Sequence, residues 1–173
     1  MAVSTTTRSA RPGEEDGVHY HFVGEVDFQR LVDDNAFVEH AQVFGNRYGT
    51  TEAALRAIVD SGQDLVLEID WQGARQARRR FADAVGIFVL PPSLATLEQR
   101  LRGRASDDEQ VIAQRMAQAR NELAHWSEYD YLIINDDFDR AVDTLSCVIA
   151  SLRLRTAVQG DALAGLLEEL APS

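Results

Sequence analysis

The chain has 173 residues, 45% of them hydrophobic, which suits one domain with its own core and excludes a disordered tail. Its formal net charge of −11 argues against non-specific nucleic-acid binding, which needs a basic surface that releases counterions. No apolar run reaches the ~18 residues of a membrane span, MAVSTTTR lacks a signal-peptide shape, and a single cysteine excludes a disulfide framework; a cytoplasmic protein with Cys147 in its core is expected.

In chain order, AVS reads as a short strand leading into a polar turn, STTTRSARPGEEDG. VHYHFV alternates like a second strand. VDFQRLVDDN has helical spacing, with apolar residues at 26, 28, 31 and 32. AFVEHAQVFGNRYGT reads as two strands around a Gly45-Asn46 turn, a small antiparallel unit. TEAALRAIVDSG predicts a helix ending at Gly62, DLVLEID a buried strand, and WQGARQARRRF a helix behind it. VGIFVL is a strand stopped by Pro91-Pro92, and Ser93 is placed to cap SLATLEQRLRGR. DDEQVIAQRMAQARNELAHW predicts a long helix with acids at its start, YDYLIIN a third apolar strand, and DFDRAVDTLSCVIASLRLR a closing helix. TAVQGDALAGLLEELAPS looks like an appended helix. Strands alternating with helices predict an α/β fold with a doubly wound parallel sheet. In such sheets ligands bind beyond the carboxyl ends of the strands, where EID and IND place acids.

Several side chains carry chemistry. All seventeen basic residues are arginine, the residue of forked phosphate contacts. In TTTRSAR, Arg8 and Arg11 either grip one phosphate or are two solvated arginines in a loop. Tyr20 and Tyr48 would add phenolic donors, or are half-buried strand residues. Glu39 and Asp70 end or interrupt apolar segments, where an unpaired carboxylate costs several kcal/mol. Guanine would satisfy them with adjacent N1–H and N2–H2 donors; caps or ion pairs would serve equally. His19 and His21 read as a surface pair, since no third ligand has metal-like spacing. RQARRR reads as a solvated helix face. Arg100, Arg102 and Arg104, with Arg115 beyond ASDDE, could close on a polyphosphate as mobile lids do, or form a charged exposed helix.

Taken in order, STTTRSARPGEEDGVHYHF, FVEHAQVFGNRYGT, LEIDWQGARQ, IFVLPPS, LRGRASDDEQVIAQRM and YDYLIINDD resemble the blocks of the guanylate kinase family, from Ser4 to about Arg155. The resemblance implies an ATP:GMP phosphotransferase using ATP with Mg²⁺. It implies a guanylate kinase-like domain over 1–155, with a GMP-binding region at about 4–51, a helical lid at about 94–123, the remainder as core, and a tail at 156–173. By resemblance, Arg8, Arg11, Tyr20 and Tyr48 hold the GMP phosphate, while Ser4, Glu39, Thr50 and Asp70 read guanine. The family commonly has Ser at position 50, and Thr keeps the hydroxyl. Arg104 and Arg115 would reach the transferring phosphoryl group, and Arg100 and Asn135 would line the ATP side.

One family block has no counterpart here. The family carries a central strand, a Gly-rich P-loop ending in Gly-Lys-Ser, and a helix ahead of the STTTR block, and these 173 residues contain no lysine. The expected reading is a truncated or late-started kinase chain with little activity as written, because a P-loop's backbone cradle and lysine fix the donor phosphates. The alternative is a catalytically dead GMP-binding or protein-interaction module.

Overall fold

A computed structural model describes residues 2–103 and 109–171, which divide into two compact units, 1–86 and 87–173. The first unit is built on a four-stranded sheet of order β2-β1-β4-β3: β1 Thr5–Thr6, β2 His21–Phe22, β3 Phe37–Val43 and β4 Asn46–Thr51. β1 runs parallel to β2 and antiparallel to β4, and β3 and β4 form the expected hairpin. Its turn falls at Phe44-Gly45, not Gly45-Asn46, because Val43 pairs with Asn46. Both turn residues have positive φ, 50° and 77°, as a two-residue turn matched to strand twist requires. The first strand also lies later than expected, at Thr5–Thr6 in place of Ala2–Ser4. Of VHYHFV only His21–Phe22 is ladder, the residues before it forming a turn bridged between Asp16 and Tyr20.

Three helices complete this unit: α1 Glu25–Asp33, α2 Glu52–Val59 and α3 Trp71–Arg80. α1 contributes one fully buried side chain, Phe28, whose ring stacks on Phe37 at 4.6 Å. Thr51 caps α2 by accepting the Ala54 N–H at 3.3 Å. α3 lies against the edge strand β3 and is fastened to its backbone. The Gln76 amide donates to the His40 carbonyl at 2.7 Å and accepts the His40 N–H at 3.1 Å, and Arg80 donates to the Phe37 carbonyl at 2.9 Å. A side-chain amide thus stands in for the missing neighbour of an edge strand. Arg80 departs in this respect from the solvated face expected of RQARRR.

DLVLEID, expected as a strand, pairs with no strand among the described residues. Leu65, Leu67 and Ile69 are half-buried and alternate with exposed Val66 and Glu68, so the two-residue rhythm is present without a ladder. Local pattern reports burial; pairing depends on a partner elsewhere.

In the second unit, β5 Ile87–Leu90 and β6 Tyr131–Ile134 pair in parallel, Ile87 opposite Tyr131 through Leu90 opposite Ile134. This pair is the parallel sheet among the described residues, in place of the larger doubly wound sheet expected. Parallel neighbours need a crossover, here through α4 Leu94–Arg102 and α5 Glu109–Leu123. Ser93 caps α4 as expected, accepting the Thr96 N–H at 3.0 Å. Arg102 ties the two helices together, pairing with Glu98 at 2.8 Å and with Glu109. Phe88, Ile112, Ile133 and Ala141 are buried here. α6 Phe138–Arg153 is capped by Asp137 and followed by two short helices, α7 Thr156–Ala162 and α8 Ala164–Leu170. α6 buries only Ala141, so Cys147 is exposed, not a core residue. No described helix is long and apolar enough to cross a membrane.

Candidate active site

A cleft of about 250 Å³ opens in the first unit, and the hairpin explains what lines it. Strict alternation would put Phe37 and Glu39 on one face of β3. A register shift between them breaks the alternation: Phe37 pairs with Thr51, and Glu39 with Thr50. The Phe37 ring then stacks on Phe28 and lies 5.9 Å from the His40 ring. Glu39, Ala41 and Val43 go to the cleft, joined by Tyr48 of β4, Ser4 ahead of β1, and Asp70 at the start of α3.

One end of the cleft is acidic. Glu39 is 3% exposed and Thr50 is fully buried behind it. Burial pushes the Glu39 carboxyl above its usual range, hydrogen bonds from the Thr50 hydroxyl and backbone N–H pull it down, and the nearby Asp70 charge pushes it up again. The Ser4 and Thr50 hydroxyls meet at 3.1 Å. Asp70 caps α3, accepting the Gly73 N–H at 2.8 Å with one oxygen and the Gln72 amide at 3.0 Å with the other. Gly73 in turn faces Glu39 so closely that a Cβ there would stand 2.6 Å from Glu39 Oε2.

Arg8 brings a cation and phenols together at another part of the same sheet. Its guanidinium lies 5.4 Å from the Tyr20 ring centroid, and its hydrogen bond to Tyr48 helps raise its pKa after the larger effect of Glu14. The rings of Tyr20 and Tyr48 meet edge-on at 6.0 Å, and burial raises the Tyr20 phenol. Arg8 is not an unpaired cation. Both its terminal nitrogens bind Glu14, each at 2.9 Å, and one also donates to the Ser9 carbonyl at 2.7 Å. Glu14 further accepts the Arg11 backbone N–H at 2.7 Å, and these contacts hold its carboxyl at about 2. The Arg11 side chain is exposed on the turn and does not line the cleft.

Sequence reasoning missed three residues here: Glu14, Gln76 and His19. Only Glu14 carried a signal, as an acid three residues past Arg11 in a turn. His19 is exposed, as expected of a surface residue, and also lines the cleft, accepting the Glu15 N–H on Nδ1 at 3.0 Å.

The remaining expected residues belong to the second unit. Arg100 is exposed on α4, Arg115 half-buried on α5, and Asn135 follows β6, its N–H donating to the Leu90 carbonyl at 2.8 Å. Arg104 lies outside the described residues. Among the described residues no group of three His, Cys, Asp or Glu side chains could hold a metal ion.

Comparison with known proteins agrees across sequence and fold. The guanylate kinase family model matches residues 1–152. A guanylate kinase from Chromohalobacter salexigens is 54% identical over 155 residues, covering 90% of this chain and 72% of the relative. One from Alkalilimnicola ehrlichii is 51% identical over 170 residues, covering 98% and 84%. The crystal structure of guanylate kinase from Anaplasma phagocytophilum superposes with a TM-score of 0.81 at 36% identity, covering 98% of this chain and 83% of that one.

Proposed function

Since the chain belongs to the guanylate kinase family, we propose that it transfers the γ-phosphoryl group of ATP to GMP, giving GDP and ADP, with GMP seated in the cleft of the first unit. The observation that carries this reading is the cleft's chemical polarity along one hairpin. Glu39 and Thr50 are cross-strand partners, and Ala41 and Tyr48 are the next pair along the same face. Two residues along a strand span about 7 Å, so Glu39, which would read a base, stands one step from the phenol of Tyr48, which would hold its phosphate.

Guanine presents donors at N1 and N2, which Glu39 and Asp70 would accept. Adenine presents an acceptor at N1 and would set it against the buried Glu39 carboxylate, the kind of mismatch that specificity rests on. At the phosphate, Arg8 would use the guanidinium edge that Glu14 leaves open, with the Tyr20 and Tyr48 hydroxyls as further donors and Arg11 closing from the turn. Orienting the acceptor oxygen is the main contribution these side chains make, because phosphoryl transfer depends on positioning and charge neutralisation. Arg104 and Arg115 would neutralise the transferring group, with Arg100 and Asn135 on the ATP side. This assigns about 4–51 to GMP binding, about 94–123 to a lid, 156–173 to a tail, and the chemistry to the cytoplasm. ATP would bring Mg²⁺ on its phosphates and waters, and the ion would offset charge on those phosphates.

Calorimetry with GMP and AMP tests the reading. GMP should bind the more tightly of the two; equal affinities would sink it.

A further inference from the structure

We propose that Gly73 is a positioning residue for guanine selectivity, and that the space left by its missing side chain is the seat that aims the Glu39 carboxylate into the cleft. The proposal rests on the reading that Glu39 recognises guanine, and it assigns the aim of that carboxylate to a residue that would not touch the nucleotide.

Backbone conformation gives no reason for a glycine at this position. Gly73 sits in the first turn of α3 and is not among the glycines with positive φ. A glycine inside a helix costs about 0.5–1 kcal/mol relative to alanine, so local stability favours a side chain. Space forbids one. A Cβ on Gly73 would stand 2.6 Å from Glu39 Oε2, 3.3 Å from Glu39 Cδ and 3.2 Å from the Ile69 Cβ.

The backbones on both sides are held. The Gly73 N–H is bound by the Asp70 cap, and Gln76, one turn on, locks α3 to the β3 backbone at His40. Glu39 itself is buried against Thr50. A methyl group at 73 would therefore be accommodated by the softest element present, the end of the Glu39 side chain, which would turn away from Thr50 and out of line with the base. Fold and helix would survive while the reading group lost its aim.

GMP and AMP affinities, with urea unfolding as the control, test this on Gly73→Ala. GMP should weaken about ten- to a hundredfold, the range of a lost charge-assisted hydrogen bond, while AMP affinity and the unfolding midpoint stay close to the unsubstituted chain. Adding Glu39→Asp should restore part of the GMP preference, because the shorter acid withdraws from the methyl. Unchanged GMP affinity in Gly73→Ala, or equal losses for GMP and AMP, would overturn the proposal. Should Gly73→Ala fail to fold, Glu39→Asp with and without it becomes the comparison. In that background the methyl should leave GMP affinity unchanged, and a further loss would refute the seat. Glu39→Gln separates the two layers. If it keeps the full preference for GMP, the underlying reading of Glu39 fails; if it abolishes that preference while Gly73→Ala retains it, only the seat fails.

Discussion

Arg8 and Arg11 stand three residues apart, yet the structure gives them different surroundings. Arg8 is held by Glu14 and lies beside aromatic rings, so its guanidinium is fixed, although it does not line the cleft. Arg11 keeps an exposed side chain on a turn whose backbone Glu14 anchors. Arg11→Ala should therefore weaken GMP about ten- to a hundredfold and leave guanosine nearly untouched. Equal losses in calorimetry would make Arg11 structural. The carboxylates predict a pH response. Glu39 has its pKa raised above 4.5 by burial, so it favours the folded state increasingly as pH falls through its elevated pKa towards 4.5. Glu14 is lowered from 4.5 to about 2, so its contribution is present above 4.5 and lost as pH falls towards 2. From these two groups alone, urea midpoints should peak near pH 4.5. Guanine's donors would stabilise the Glu39 anion, so GMP binding should strengthen as pH rises through the elevated pKa and should release protons. Calorimetry in buffers of differing ionisation enthalpy would detect that release, and proton uptake would contradict the assignment.

At the scale of elements, the latch between α3 and β3 places Asp70 opposite Glu39. Gln76→Ala removes both hydrogen bonds to His40 and leaves an edge-strand N–H and carbonyl unmatched. The cost should be about 1–3 kcal/mol in urea denaturation, and an unchanged midpoint would show that water replaces the amide. This latch also marks the limit of what sequence reveals. Helices α1 to α6 were legible because caps and apolar spacing are local signals, as Ser93 illustrates, although α2 ends at Val59, short of the expected Gly62. Of the residues expected around GMP, Ser4, Tyr20, Glu39, Tyr48 and Asp70 line the cleft, while Arg8, Arg11 and Thr50 do not. The register shift at Phe37, the amide of Gln76 and the unpaired run at 64–70 were not legible. Each depends on what lies across a strand edge, and one-dimensional spacing carries no record of it. The Phe44-Gly45 turn was misplaced by one residue because φ of 50° is uncommon for a phenylalanine.

Across the whole molecule, charge and site are of opposite character. The chain carries −11 with seventeen arginines and no lysine, so its positive charge comes entirely as planar forks. GMP is a dianion approaching an anion. At low ionic strength the distant acids should slow the encounter, and added salt should speed it as the Debye length shrinks to about 10 Å near 0.1 M. Stopped-flow with a fluorescent GMP analogue would test this, and a rate that falls with salt would show that local arginines dominate at long range. The pairing of Arg8 with Glu14 sharpens the expectation. One of the two arginines arrives already paired with Glu14, and with Glu15 and Asp16 beside it the turn sets two arginines against three acids, so it offers the incoming phosphate no net positive charge. Such a site would recruit its ligand by fit after contact, not by attraction beforehand, and selectivity would appear in how long GMP stays.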